Sequence, residues 1–197
     1  GSQAIAKEFA EKRVRRGAFM FEAPEAKLIL NNNGVVKDIV LRERKDAECL
    51  IEEFMLCANE CVAETMTWLD VPFIYRVHEE PLDDKVNKLM LLVNNFGYDY
   101  KLKGQKGVSR LLQKILQDHD LNEEGLPQED ITRRGIVNKA LIRTMAKAKY
   151  QETNIGHFGL GSKCYTHFTS PIRRYPDLLV HRLIKEFMFN ETFVNVS

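Results

Sequence analysis

Apolar residues recur at helical spacing along most of the chain and alternate with polar residues only in short stretches. Helical periodicity predicts helices over residues 3–16, 46–68, 83–96, 108–116, 127–150 and 171–189. Strand-like stretches occur over residues 18–21, 27–30, 35–41 and 73–77. The pattern therefore predicts one α+β domain that is mostly helical with a few strands.

Two local features refine this pattern. Asn33-Gly34 is typical of a two-residue hairpin turn, because both residues tolerate positive φ. The second helix carries a wide apolar stripe, which predicts that this helix is well buried and that Trp68 near its end belongs to the core. Its two thiols, Cys57 and Cys61, are interpreted as core residues, since no second Cys or His pair at zinc spacing accompanies them. The stripe consists of Leu50, Ile51, Phe54, Cys57, Ala58, Cys61 and Val62.

The composition is that of an ordinary globular protein, but its charge is unevenly distributed. The 197 residues are 44% hydrophobic and 29% charged, and no stretch is apolar enough to predict a membrane span. Residues 131–185 hold eleven Lys or Arg and two acidic residues, a net charge of +9, which leaves −8 for the rest. This separation favours a polyanion-binding face as much as a solvated basic helix surface. The four cysteines do not form a disulfide framework, so we expect a cytoplasmic location.

The strongest chemical signal is an aromatic and hydroxyl-rich segment over residues 156–177. Thr169 and Ser170 precede a predicted helix start, where free backbone N–H groups favour an anion. Arg173 and Arg174 add forked donors that match phosphate oxygens. Aromatic side chains nearby offer stacking faces for unpaired bases. A capped helix with a surface arginine pair and core aromatics explains the same residues equally well.

The order of residues in this segment resembles a known family. Residues 165–178 read YTHFTSPIRRYPDL, with His181-Arg182 after them and His157-Phe158-Gly159-Leu160 upstream. This run resembles the signature of the ribonuclease II/ribonuclease R catalytic domain, and more the ribonuclease R branch. Residues 17–30, 51–59 and 75–81 agree with it. The resemblance extends from about Lys7 to Phe189.

The resemblance implies a 3′-to-5′ hydrolytic exoribonuclease that uses magnesium and degrades single-stranded or structured RNA to nucleoside monophosphates. It implies that Arg173 stabilises the transition-state phosphate. It also implies that one glutamate of the pair Glu52-Glu53 lies near the terminal nucleotide, and Glu53 is our choice. The residues expected to contact RNA are His157, Tyr165, His167, Phe168, Ser170, Arg174, Tyr175 and Arg182.

The sequence departs from the family pattern in one respect that concerns catalysis. The family binds its metal with closely spaced aspartates, whereas Asp83-Asp84 at a helix start is the only adjacent Asp pair here. We therefore expect no metal ligands in this chain and little or no catalysis by it alone. A non-catalytic module that binds single-stranded RNA is the alternative.

The same departure shapes the expected domain organisation. Residues 1–2 are typical of a tag remnant, residues 3–190 of the carboxyl-side part of a ribonuclease II-type catalytic domain, and residues 191–197 of a tail. Apolar positions near Phe19, Phe21 and Leu30 are then expected to be exposed and to promote self-association.

Overall fold

The structure is a computed structural model that describes residues 2–19, 26–30, 36–41, 46–101, 107–119 and 125–189. Helices dominate these ranges and strands are short, so the expected mostly helical α+β fold is confirmed. The helices are α1 (Ser2–Arg16), α2 (Asp46–Trp68), α3 (Asp83–Asn95), α4 (Gly107–Asp118), α5 (Gln128–Thr144) and α6 (Tyr175–Ile184). The strands are β1 (Ala26–Leu30), β2 (Val36–Leu41), β3 (Tyr75–Val77) and β4 (Lys149–Gln151).

The described strands form two antiparallel pairs. β1 pairs with β2 from Ala26 opposite Leu41, with an irregularity between Ile29 and Leu30. The predicted Asn33-Gly34 turn lies outside the described residues, although the strands on both sides of it pair as a hairpin would.

The second strand pair corrects the prediction for residues 127–150. α5 ends at Thr144, and β4 pairs with β3 so that Arg76 lies opposite Tyr150. Met145 already has an extended backbone, with φ −68° and ψ 143°. Residues 145–148 favour a helix by their own propensity, so the pairing with a strand about 75 residues earlier overrides the local preference.

The buried side chains form two clusters. One joins α3, α4 and α5, and it includes Val93, Leu112, Ile115 and Leu141. The other joins α2, β3 and α6 through Met66, Val77 and Val180. The loop that follows β4 packs between these clusters: Phe158 contacts the first, and Phe168 contacts the second. This loop is therefore held by both halves of the core.

The predicted orientation of α2 is wrong. Ile51 and Phe54 of its apolar stripe are exposed, four other stripe residues are only partly buried, and Trp68 beyond the stripe is 86% exposed. The thiol-bearing Cys61, predicted to lie in the core, is exposed as well. Glu53 and Asn59 lie on the buried side together with the apolar Ala63 and Met66. Because two polar residues are buried and paired internally, hydrophobicity along α2 does not mark its buried face.

The expectation of an exposed Phe19 is also wrong. Its ring is buried and lies 5.2 Å from the ring of Phe158, and its backbone N–H donates to the Gly159 carbonyl at 2.8 Å. Gly17, with φ +105°, ends α1 and turns the chain toward this contact. Phe21 lies outside the described residues, and so does the side chain of Leu30.

Across the described ranges, no helix is both long enough and apolar enough to span a bilayer.

Candidate nucleic-acid interface

Strand β3 and the adjacent His78 bind the loop that carries the sequence signature at two places, residues 156–158 and residue 165. The His78 N–H donates to the Gly156 carbonyl at 3.1 Å, and the Phe158 N–H donates to the His78 carbonyl at 2.8 Å. The Arg76 N–H donates to the Tyr165 carbonyl at 2.8 Å. Residues 156–165 therefore lie along one strand edge although they contain almost no regular structure themselves.

His78 fixes the tight turn of this loop with both ring nitrogens. Its Nε2 lies 2.8 Å from the Ala146 carbonyl, and its Nδ1 accepts the Gly159 N–H at 2.9 Å. This arrangement requires a neutral ring, and burial lowers the pKa of His78 accordingly. A Cβ at position 159 would lie 2.7 Å from Nδ1, so the close approach requires a glycine.

Asn59 on α2 holds the middle of the signature. Its Nδ2 donates to the Tyr165 hydroxyl at 2.9 Å, and its Oδ1 accepts the N–H groups of Phe168 and Thr169 at 2.9 and 3.2 Å. Asn59 is buried, and each of these bonds spans more than 100 residues of sequence. The sequence analysis assigned it no role, since a single Asn inside a helix gives no periodic or spacing signal.

Asp177 on α6 holds the next part of the signature. Its carboxylate is fully buried, and Oδ2 accepts the Ser170 N–H at 2.8 Å and Arg174 Nη2 at 2.9 Å. The Ser170 carbonyl in turn accepts the N–H groups of Arg173 and Arg174 at 3.3 and 3.0 Å. The expected simple capped helix is thus replaced by a turn closed on a buried carboxylate.

These contacts correct the expected anion site at the helix start. The N–H groups of residues 168, 169 and 170 are occupied by Asn59 and Asp177, so they are not available to a phosphate. α6 begins only at Tyr175, and its N-cap residue Arg174 makes no side-chain capping bond. These three N–H groups therefore do not form the expected anion site.

The two arginines of the signature occupy different environments. Arg173 is exposed, whereas Arg174 is partly buried and forms an ion pair with Asp177. Tyr175 and Arg182 are exposed as well, and Ile172 between the proline and the arginines is fully exposed. The accessible cations of the signature are thus Arg173 and Arg182, and Arg174 is partly committed to the fold.

The predicted stacking residues differ in accessibility. Tyr165 is buried, so in this conformation it positions the loop and offers no face to a base. Phe168 is partly buried, and its ring stacks on His181 with centroids 4.3 Å apart and an interplanar angle of 16°. Tyr175 is the most exposed of the three aromatic rings predicted to contact RNA. The RNA contacts of all three stay predictions.

The two predicted histidines are partly buried and neutral. Burial, together with the neighbouring His78, lowers the pKa of His157 to about 3. Burial and the neighbouring Arg174 lower the pKa of His167 to about 4. His157 Nδ1 accepts the Leu160 N–H at 3.2 Å, and His167 Nδ1 lies 2.6 Å from the Tyr150 hydroxyl. Neither ring carries a positive charge near neutral pH.

Glu53, the predicted partner of the terminal nucleotide, is buried and forms an ion pair with Arg13 of α1. Glu52 is partly buried. A second α1–α2 ion pair joins Arg16 to Glu60 at 2.9 Å. In this conformation Glu53 fixes α1 against α2, and its contact with RNA stays a prediction.

A groove of about 900 Å³ adjoins His157 on the side of α1 and α4. Its charges are mixed, because the four basic residues Arg15, Arg16, Arg110 and Lys163 are accompanied by Glu60, Glu64 and Glu80. A polyanion is better matched by the surface around Arg173 and Arg182, where Asp177 is fully buried and already paired.

The part of the chain that the structure describes contains no group of three or more His, Cys, Asp or Glu side chains that could hold a metal ion. We therefore assign no metal ligand among these residues.

Comparison with known proteins identifies the family. The RNB domain family matches residues 2–190. The chain is a member of the RNB domain family. Ribonuclease R of Thermotoga maritima is 46% identical over 188 residues, which cover 93% of this chain and 25% of that protein. The chain therefore spans about a quarter of that relative's length.

Solved structures agree with this assignment. Mycoplasma genitalium RNase R in complex with ribose-methylated single-stranded RNA is similar with a TM-score of 0.77 and 28% identity, covering 95% of this chain and 28% of that one. The same protein in complex with double-stranded RNA gives a TM-score of 0.75 and 27% identity, covering 97% and 33%. The resemblance to the ribonuclease II/ribonuclease R catalytic domain is confirmed.

The first prediction concerns Asn59. Asn59→Ala leaves the N–H groups of Phe168 and Thr169 without their acceptor, so we expect a loss of about 2 to 4 kcal/mol in the free energy of unfolding. Urea unfolding followed by circular dichroism measures this loss. Thr65→Ala is the control, because it removes an exposed hydroxyl on the same helix. Equal stability of the two variants would contradict the role of Asn59.

The second prediction concerns acid. Below about pH 6.5 the unfolded chain takes up protons at His157 and His167, whereas the folded protein does so only near pH 3 and pH 4. The free energy of unfolding should therefore fall as the pH drops from 6.5 toward 4. Urea unfolding at a series of pH values measures this slope.

His157→Asn separates the contribution of one ring, since its Oδ1 can still accept the Leu160 N–H. The variant should lose less stability than the unchanged protein between pH 6.5 and 4. Parallel pH profiles for the two proteins would show that His157 makes no contribution to acid sensitivity.

Proposed function

We propose that this chain forms part of the RNA-facing surface of a 3′-to-5′ hydrolytic exoribonuclease that degrades RNA to nucleoside monophosphates. The observation that carries the proposal is the turn over residues 170–174. The buried Asp177 carboxylate bonds Ser170 and Arg174 of this turn, and Arg173 remains exposed. Because the backbone of Arg173 is fixed in this way, only its side chain has to be ordered when it binds a phosphate.

The comparisons support RNA as the partner. The relatives matched at high identity are ribonucleases R, and one similar structure contains single-stranded RNA while another contains double-stranded RNA. Single-stranded RNA is the proposed ligand of this chain. The exposed lysines and arginines of residues 131–185 supply a salt-sensitive attraction to its backbone.

Arg173 is the proposed catalytic residue of the whole enzyme. Its guanidinium is exposed and can donate two parallel hydrogen bonds to phosphate oxygens, which stabilises the charge that develops during phosphodiester cleavage. Arg182 and Tyr175 are proposed RNA contacts on the same helix. Arg174 contributes charge beside them while it remains paired with Asp177.

Catalysis by the whole enzyme is proposed to need magnesium. Because the sequence lacks the closely spaced aspartates of the family pattern, the proposal gives this chain a binding role, and we expect it to hold RNA without shortening it. A module that binds single-stranded RNA and takes no part in cleavage is the second candidate. The exposed basic surface favours it as much as the first.

The third prediction tests both candidates with the purified chain, a 5′-labelled single-stranded RNA and magnesium. We expect binding that weakens with salt and no shortening of the RNA. Arg173→Ala should weaken binding roughly 5- to 30-fold, because one phosphate contact is lost. It should also reduce the slope of log affinity against log salt concentration by about one. Fluorescence anisotropy measures affinity, and denaturing gels measure product length.

Lys101→Gln is the matched control for the loss of one positive charge. Lys101 is exposed and pairs with Asp99 outside the signature. Equal weakening by both substitutions would contradict a specific role for Arg173. Progressive shortening from the 3′ end, abolished by Arg173→Ala, would contradict the binding-only role of the chain.

We also propose that the chain self-associates. A second copy of the chain would cover the exposed apolar side chains of α2. Phe19 is buried and so does not supply the expected contact surface. Ile51, Phe54 and Trp68 support the proposal instead, because all three are exposed on one helix. Removing such apolar surface from water would stabilise the dimer.

The fourth prediction follows from this surface. The chain should form dimers at high concentration, and Trp68→Ser together with Phe54→Ser should shift it toward the monomer. Sedimentation velocity measures the mass, and fluorescence of the single tryptophan reports its burial in the unchanged protein. A concentration-independent monomer with an exposed Trp68 would contradict the proposal.

A cytoplasmic location is proposed as well. The four cysteines are all unpaired, which suits a reducing compartment.

A further inference from the structure

Two residues that the sequence analysis gave no role, Arg76 and Tyr150, meet the signature at His167. Arg76 of β3 and Tyr150 of β4 lie directly opposite each other in the strand pair. The Arg76 guanidinium carbon lies 4.6 Å from the centre of the Tyr150 ring. The Tyr150 hydroxyl lies 2.6 Å from His167 Nδ1, and the two rings meet edge to face with centroids 5.6 Å apart.

The short hydrogen bond couples the tautomer of His167 to the direction of the Tyr150 hydroxyl. A neutral imidazole carries one proton, on either Nδ1 or Nε2. A phenolic O–H can donate as well as accept, and the hydroxyl of Tyr150 bonds His167 Nδ1. If the hydroxyl donates, Nδ1 accepts and the proton of His167 stays on Nε2.

The surroundings keep His167 neutral, and so available as an acceptor at Nδ1. Burial disfavours the charged ring, and the arginines at positions 174, 76 and 173 act in the same direction. Asp177 is the opposing charge, but its carboxylate is already bonded to Arg174. His167 is only partly buried, and Tyr150 is 38% exposed, so this group borders the solvent.

We propose that Tyr150 is a positioning residue that fixes His167 as an Nε2–H donor to an oxygen of the RNA backbone, and that Arg76 holds the Tyr150 ring in place. This inference rests on the proposed RNA-facing function of the chain. The oxygen belongs either to a phosphate or to a ribose 2′-hydroxyl, both of which accept a hydrogen bond from a neutral imidazole.

This assignment has chemical consequences for the site. With Nδ1 occupied by Tyr150 and a proton on Nε2, His167 holds no free lone pair and does not act as a general base. Because it binds as a neutral donor, it adds no proton-linked gain in RNA affinity between pH 8 and pH 6. A histidine with an ordinary pKa near 6.5 would strengthen RNA binding as the pH falls through that range.

The test begins with the tautomer of His167 in the unliganded chain, read from its ring ¹⁵N chemical shifts. We expect the Nε2–H form in the unchanged protein. Tyr150→Phe removes the hydroxyl and keeps the ring under Arg76, so it should yield a mixture of both tautomers. Tyr75→Phe is the matched control. Tyr75 lies in the neighbouring strand β3, and its hydroxyl bonds Thr67 of α2 at 2.9 Å.

Affinity for the same 5′-labelled RNA completes the test. Tyr150→Phe should weaken binding roughly 3- to 10-fold with an unchanged salt dependence, because a neutral hydrogen bond is disturbed and no charge is lost. Arg76→Lys, which keeps the charge and loses the planar stack, should weaken it by a smaller factor. Tyr75→Phe should leave affinity unchanged.

A DNA strand of the same sequence distinguishes the two oxygens. Equal weakening by Tyr150→Phe on DNA and RNA identifies a phosphate oxygen, and weakening on RNA alone identifies the 2′-hydroxyl. The inference is overturned if Tyr150→Phe leaves both the tautomer and the RNA affinity unchanged while the unchanged chain binds RNA. Failure of the unchanged chain to bind RNA would instead reject the proposed function, whatever the tautomer.

Discussion

The irregular signature loop depends on two buried polar side chains, Asn59 and Asp177. A loop without regular structure leaves backbone N–H groups that must find partners when they are buried. Three consecutive N–H groups, those of residues 168–170, donate to these two side chains. Since an unpaired buried donor costs about 1 to 3 kcal/mol, no apolar replacement could hold the same path. The packing of α2 and α6 thereby defines the position of the arginine pair.

A second constraint concerns charge. His157 and His167 lie in the loop, His78 follows β3 with its ring centroid 5.1 Å from that of His157, and burial lowers the pKa of each ring. His78 and His157 accept backbone N–H groups, which a protonated imidazole cannot do at the same nitrogen. The positive charge of the interface therefore comes from arginine and lysine, whose protonation does not change near neutral pH. Loop shape and surface charge are thus supplied by different residues.

Periodicity predicted α3 and α4 well because their buried faces are apolar, as Val86, Leu89 and Val93 illustrate on α3. It failed on α2, where Glu53 and Asn59 occupy the buried side, and at β4, where strand pairing replaces a predicted helical turn. The signature residues were recognisable in the sequence because they lie close together. Their supports were not, because Asn59, Arg76 and Tyr150 reach them only through tertiary contacts.

Arg173 and Arg174 show how neighbouring residues of one type acquire different roles. Arg174 precedes Asp177 by three positions, which places its guanidinium within reach of the buried carboxylate at the first turn of α6. A buried carboxylate requires such a partner, so Arg174 is bound to the fold before any ligand arrives. Arg173 lies one position earlier and remains exposed. The pair therefore combines an arginine that stabilises the turn with one that the turn presents to solvent, and the spacing to Asp177 decides which is which.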